Sequence, residues 1–286
     1  MASAQGRLWR LMGWGEVVPV LEIASRGTVV SVKNRLLSVG QRTFHSDDID
    51  LVLLQVPAVT VTGDALALLA DQGIPVVICD GRRRPLADVV PVCGTAVVSA
   101  RLLQQQAAMQ PRRKAALWRQ IVRAKIREQA AVLSEVAEDP RTRMLRMVEE
   151  VEPGDPKNLE AQAARIYWPA LMGSAFRRHG GSGADGLLDF GYAVLRALMA
   201  RALHRSGLHR SLGVHHDNAE NDGNLADDMI EPFRPAVDRL VLGLVSVAAD
   251  AAPEDPQTRR VLSGVGDWPV LMGGEWVRLR TALARV

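Results

Sequence analysis

The chain has two cysteines in 286 residues, Cys79 and Cys93, and no CxxC pair. That spacing excludes a zinc ribbon and argues against a disulfide-stapled fold. Both cysteines lie in valine-rich runs, PVVICD and VVPVCG, and read as buried free thiols. A run of about 18 uninterrupted apolar residues is missing, so no transmembrane helix is expected. The opening segment MASAQGRLWRLMGWGEVVPV lacks a charged start, a long apolar core and a small-residue cleavage site, so it does not read as a signal peptide. A cytoplasmic location is expected. Internal repeats and low-complexity segments are absent. There is no persuasive Ser/His/Asp pattern for a side-chain nucleophile, and no paired Glu-x-x-His motif of the kind a di-iron helical bundle uses.

What is present is a globular composition, 48% hydrophobic and 23% charged, sufficient for one large domain or two ordinary ones. The net charge is +3 and the isoelectric point about 9.2. Arginine dominates the cations, and its planar fork of donors suits phosphate. Nucleic-acid binding is therefore compatible with the composition but not established by it.

Two textures follow one another. Between about residues 17 and 95 the apolar residues come in short β-branched runs: GTVVSVKNRLLSVG reads as two strands joined near Asn34, and DIDLVLLQV, IPVVICD and ADVVPVC as three more. One helix interrupts them, GDALALLADQG, which Thr62 can cap and Gly73 can close, with Leu66, Leu69 and Ala70 on one face. After about residue 98 helix formers prevail, with Pro111 marking a break. LLDFGYAVLRALMARALHRSG repeats Leu188, Tyr192, Leu195 and Met199 at helical intervals. The last stretch, GVGDWPVLMGGEWVRLRTALARV, reads as a turn and a terminal helix. The expected fold is α+β: a small N-terminal β-rich domain over residues 1–95, then a larger all-α catalytic domain over 96–286, joined near residues 90–98.

Two features carry chemistry. The helix around 112–129 is strongly basic, with Arg112, Arg119 and Arg123 at i, i+7 and i+11. Taken alone it is a solvated face; beside a nucleic-acid centre, Arg112, Arg119, Arg123 and Lys125 become candidate DNA contacts. GRRRP (81–85) is a second basic knot. The other feature is GVHHDNAENDGNLADDMIEPFRP (213–235), with two histidines, six carboxylates and no cation before Arg234. In helical conformation Asp227 and Asp228 share a face with Glu231, Asn224 can cap the start, and Pro232 places a bend at Glu231. Clustered carboxylates repel unless a cation neutralises them, and oxygen ligands with one imidazole suit Mg2+ or Mn2+. A solvated acidic loop explains the run equally well. Glu160, in the first turn of a helix, is on its own a favourable charge–dipole placement. His204 and His209, set among arginines, read as structural or phosphate-facing.

The segments NLEAQAARIYW, LLDFGYAVLRALMARAL, GLHRSLGVHH and NLADDMIEPFRPAVD occur in order and at sensible distances. Together with QAAMQPRRKAALWRQIVRAKIREQA and the β-rich run before it, they resemble the CRISPR-associated Cas-one (Cas1) family, the integrase of spacer acquisition. The block 213–235 looks most like the type II branch. The resemblance covers most of residues 17–250. It implies that Glu160, His216 and Glu231 are catalytic metal ligands, with Asp228 as a supporting acid and His215 as a spare imidazole whose loss matters less. Asp189 departs from the family, standing where asparagine is usual.

The resemblance further implies a metal-dependent DNA endonuclease and integrase with Mg2+ or Mn2+. It would insert short DNA fragments into a CRISPR repeat array through attack of a 3′-hydroxyl on a phosphodiester. The implied partners are DNA (prespacer fragment and CRISPR repeat), a second copy in a homodimer, the small Cas-two (Cas2) subunit and other type II adaptation proteins. Rival readings are a metal-dependent repair nuclease acting on branched DNA and a non-catalytic DNA-binding scaffold. Because an imidazole ligand must be neutral, activity is expected to fall below about pH 6.

Overall fold

The computed structural model describes residues 20–80, 85–89, 100–134, 136–178, 183–248, 251–252 and 255–286. The arginines of the GRRRP knot, Cys93 and the expected junction near 90–98 lie outside the described residues. Strands come first: β1 (Val20–Ile23), β2 (Thr28–Lys33), β3 (Leu36–Val39), β4 (Arg42–Phe44), β5 (Leu51–Leu54) and β6 (Val59–Val61). Helix α1 (Gly63–Asp71), β7 (Val76–Cys79) and β8 (Pro85–Val89) complete this part. Helices then dominate: α2 (Ala100–Ala107), α3 (Pro111–Leu133), α4 (Glu138–Glu150), α5 (Leu159–Met172) and α6 (Ala184–Arg205). They are followed by α7 (Asn224–Ile230), α8 (Arg234–Val247) and α9 (Pro256–Ser263). The α+β class read from the sequence is the one observed.

Local chemistry accounts for the strand part. Asn34 and Arg35 both hold positive φ, 52° and 64°, between the paired residues Lys33 and Leu36. Such a two-residue turn matches the twist of the strands it joins. The Thr62 hydroxyl accepts the Ala65 N–H at 3.3 Å and starts α1; Gly73, at φ 61°, ends it. Ala65 and Leu69, four apart, are the buried residues of α1.

One sheet has the order β4-β3-β2-β6, the other β1-β5-β7-β8. In the second, β1, β5 and β7 are parallel and β8 is antiparallel. Alternation sends Leu21, Ile23, Val52 and Val76 into a core shared with the first sheet and α1. It sends Val20, Leu51, Leu53, Val77 and Cys79 into a core shared with α6, α7 and α8. This sheet is thus buried on both faces, and the strand and helical parts share it. Another core joins α3, α4 and α5 through Trp118, Val122, Ile126, Met144, Val148 and Tyr167.

The C-terminal segment differs from the expected terminal helix. It forms strands β9 (Pro269–Met272) and β10 (Glu275–Arg278), paired antiparallel, before a short helix α10 (Leu279–Leu283). Gly273 and Gly274, with φ of 61° and 86°, make a two-residue turn that a side chain would strain. Among the described residues no helix is long and apolar enough to cross a membrane.

Candidate functional site

Glu160 owes its place to the start of α5. Asp155, at φ 50°, accepts the Leu159 and Glu160 N–H groups at 2.9 and 3.0 Å. Asn158, at φ 51°, accepts the Ala161 N–H at 3.2 Å. These bonds satisfy the free donors of the helix end and fix the turn that carries Glu160. Glu231 lies 71 residues later, where α7 passes into a single 3-10 turn, Glu231–Phe233. It keeps right-handed helical angles (φ −52°, ψ −44°); Pro232 changes the hydrogen-bond pattern there without bending the chain out of the helical region. Asn224 does not cap α7. It is the first helical residue, and its amide donates to the Ser211 and Asn218 carbonyls at 3.3 and 2.9 Å.

The two glutamates meet at Lys125. Its Nζ lies 2.5 Å from Glu160 Oε1 and 2.5 Å from Glu231 Oε2. Glu231 is only 5% exposed, and its other oxygen, Oε1, lies 3.0 Å from Arg234 Nε. Burial is the largest influence on Lys125 and would lower its pKa. The charges and hydrogen bonds of Glu231 and Glu160 together outweigh it, and the pKa lies above the ordinary 10.5. Lys125 does not lie on a solvated face, as its basic neighbourhood suggested; its ammonium projects between Glu160 and Glu231.

His216 stands beside this cluster. Asp228, fully buried, accepts the backbone N–H groups of Val214, His215 and His216 at 2.6, 2.9 and 3.1 Å. Its Oδ1 also lies 2.7 Å from His216 Nδ1. One carboxylate thus shapes the loop and orients the ring, fixing the proton on Nδ1 and leaving the Nε2 lone pair available. That hydrogen bond is the main reason the His216 pKa lies above 6.5; partial burial opposes it, and the charges of Asp228 and Glu231 add to it. A Cβ on Gly213 would lie 2.2 Å from the His216 carbonyl oxygen and 3.0 Å from Asp228 Oδ2, so the loop closes only around glycine. His215 stacks flat on Trp118 of α3, with centroids 4.1 Å apart and planes 4° apart. Asp227 turns away, to Arg196 Nε at 2.6 Å and Asn221 Nδ2 at 2.7 Å.

The structure brings Glu160 and Glu231 onto one ammonium and sets His216 and Asp228 next to them. Among the described residues, no three carboxylate, imidazole or thiol groups stand ready to hold a metal ion; the Lys125 ammonium lies between the two glutamates. The donor set nonetheless suits a hard divalent ion: two carboxylates and a ring nitrogen. Glu231 Oε2 is buried and lies 2.5 Å from the Lys125 ammonium, so this oxygen already faces a cation.

The family profile described as CRISPR associated protein Cas1 matches residues 21–252. The chain belongs to the CRISPR-associated Cas1 family. A CRISPR-associated endonuclease Cas1 from Neisseria meningitidis serogroup C (strain 8013) is 34% identical over 227 residues, which cover 78% of this chain and 74% of that protein. Among solved structures, a casposase bound to integration product superimposes with a TM-score of 0.77 at 19% identity, covering 93% of this chain and 88% of the other. A Cas6-RT-Cas1–Cas2 complex gives a TM-score of 0.70 at 18% identity over 95% of this chain and 34% of that longer one. At these identities the structural likeness concerns the fold.

In this Cas1-family chain the basic face of α3 is more engaged in structure than its sequence suggested. Arg119 donates to the Val151 carbonyl at 2.8 Å, and Arg123 pairs with Glu149 at 2.5 Å. Arg112 remains exposed in the first turn of α3. His209 donates its backbone N–H to Gln106 Oε1 at 2.9 Å, a structural role. Asp189 accepts from Arg178 at 2.9 Å, so the departure from asparagine is matched by a cation.

Behind the site lies a network that sequence reasoning missed. The hydroxyls of Tyr167 (at 2.8 Å) and Tyr192 both donate to the buried Asp238. Burial pushes the Asp238 carboxyl up to about 6, with the two tyrosine hydrogen bonds pulling the other way. Arg234 lies over the Tyr192 ring, 4.7 Å from its centroid, and links this network to Glu231. Tyrosine at helical spacing is ordinary core; only the three-dimensional meeting with Asp238 distinguishes Tyr167 and Tyr192.

Proposed function

We propose that this chain is a CRISPR adaptation integrase, a metal-dependent DNA endonuclease and transesterase that joins short DNA fragments into a CRISPR repeat. The observation that carries the reading is the meeting of Glu160 and Glu231, 71 residues apart in sequence, at one cationic position beside His216. Membership of a family whose relatives are described as endonucleases supports the reaction class. The fold shared with a casposase on its integration product supports joining as well as cleavage.

Glu160, His216 and Glu231 would hold Mg2+ or Mn2+. The ion's contribution, when bound, is to lower the pKa of the attacking hydroxyl and offset charge on the phosphate oxygens. The 3′-hydroxyl oxygen forms a new bond to phosphorus, an existing P–O bond breaks, and the released oxygen becomes the new 3′-hydroxyl. No side-chain nucleophile takes part. Asp228 keeps His216 in the tautomer that exposes Nε2. Asp155 and Asn158 keep Glu160 from drifting by capping its helix. Arg234 holds Glu231 Oε1 and so keeps the carboxylate turned toward Lys125.

DNA is the substrate in this reading. A Cas2-type subunit is the partner, supported by the fold shared with Cas1–Cas2 complexes; a second copy of the chain completes the assembly. The test is a joining assay on a supercoiled plasmid carrying the repeat, with fragments ending in 3′-hydroxyl, in Mn2+ or Mg2+. Glu160→Gln, Glu231→Gln and His216→Ala are each expected to lose joining at least a hundredfold while keeping wild-type ellipticity. Joining retained in all three, or undiminished in excess chelator, sinks the proposal. Cleavage without any joined product would favour the repair-nuclease reading instead.

A further inference from the structure

Lys125 is the charged side chain that lies between the two glutamates and that the ligand set does not use. It sits in the middle of α3, with Val122, Ile126 and Gln129 buried around it, so its ammonium cannot swing freely into solvent. Its side chain is 12% exposed, and both near neighbours of Nζ are carboxylate oxygens at 2.5 Å. A lysine so placed on an apolar stripe is too costly to be incidental unless its charge is matched.

We infer that Lys125 is the built-in counter-cation of this site: its ammonium holds Glu160 and Glu231 together when no divalent ion is bound and competes with that ion for them. The inference rests on the metal reading above and adds the residue that sets how readily the site fills. An ammonium has three donors and no acceptor, so it cannot coordinate a metal and can only share or surrender the carboxylates. Two like charges in a partly buried site repel each other. Entry of the ion therefore requires the lysine head to release at least one glutamate. Glu231 Oε2, 2.5 Å from Nζ, can exchange one cation for another. Arg234 stays on Oε1 and keeps Glu231 in place through the exchange.

The arrangement also accounts for how two carboxylates are held at one partly buried position. Without Lys125, Glu160 would lose its ion pair and the buried Glu231 would be left with Arg234, a destabilising condition. A merely structural lysine would make the same stability difference at every metal concentration. A competing cation makes one that Mn2+ removes.

The test uses the full chain and three readouts: Mn2+ binding by calorimetry, thermal unfolding with and without Mn2+, and joining as a function of Mn2+. The variants are Lys125→Met and Lys125→Gln, the second keeping amide donors for the two carboxylates without the charge. Both are expected to bind Mn2+ at least tenfold more tightly than wild type and to unfold at a lower temperature in chelator. Mn2+ is expected to raise their melting temperature more than it raises that of wild type. Equal or weaker Mn2+ affinity in the folded variants overturns the inference while leaving the metal reading standing. Failure of wild type and both variants alike to bind Mn2+ overturns the metal reading and this inference with it.

Discussion

At the scale of single residues, the site turns on which proton or cation each carboxylate holds. Asp228 raises the His216 pKa above 6.5, so in the proposed site the imidazole would be protonated, and lost as a ligand, at a higher pH than an isolated ring. The acid limb of joining activity is therefore expected above the pH of about 6 that the sequence alone suggests. The stability linkage has the opposite sign. A raised histidine pKa contributes stability that is fully present below the unfolded value of about 6.5 and is lost as pH rises through the folded value. Acid thus tightens the His216–Asp228 pair while, in the proposed site, it would remove His216 as a ligand. Asp228→Asn is expected to shift the acid limb toward lower pH and to destabilise the loop by about 1–3 kcal/mol, since Asp228 accepts three backbone N–H groups. A pH–rate profile on the variant checks this; an unmoved acid limb would remove His216 from the ligand set. The sequence did hold a signal for Lys125 that its basic surroundings masked. Trp118, Val122, Lys125 and Gln129 fall at i, i+4, i+7 and i+11, a buried stripe, and a lysine on such a stripe needs a carboxylate partner.

At the scale of elements, most of the fold was legible because local chemistry and long-range packing agree there. The β2–β3 turn at Asn34, the Thr62 cap and the closing Gly73 are each satisfied within a few residues of sequence. The C-terminal hairpin was not read from the sequence, because the helical pattern of the flanking VRLRTALARV outweighed the Gly-Gly between two short apolar runs. Strand β6 and the tyrosine–aspartate network could not be read in advance, since each depends on partners far along the chain. The loop after α6 shows how one residue can decide an element. Gly213→Ala would place a methyl group 2.2 Å from the backbone oxygen of His216, which no side-chain rotation relieves. It is expected to disorder the 213–217 loop and abolish joining, with α6 and α8 retaining their packing. Amide exchange of Val214–Asp217 against that of α6 measures this; wild-type protection in that loop would contradict it.

At the scale of the whole molecule, the sheet β1-β5-β7-β8 matters more than any boundary in composition. Its two faces enter different cores, so the strand part cannot open without exposing Leu51, Leu53 and Val77 from under α6. Charge adds a second tie. Asp50, at the start of β5, pairs with Arg201 of α6 and, at 2.7 Å, with Arg280 of α10, while Arg210 reaches back to Asp88 of β8. Asp50 is well covered, and removing it deprives Arg201 of its carboxylate while Arg280 keeps Asp267 at 2.9 Å, so Asp50→Ala is expected to cost about 2 kcal/mol. The loss should be felt by both parts at once. Native-state hydrogen exchange is expected to give the amides of β5 and α6 one common opening free energy, lowered together by Asp50→Ala. Exchange of β5 through a separate, cheaper opening would show that the shared sheet does not couple them. If the coupling holds, whatever strains the strand part on assembly with a partner is transmitted to α6 and, through Arg196 and Asp227, to the helix that ends at Glu231.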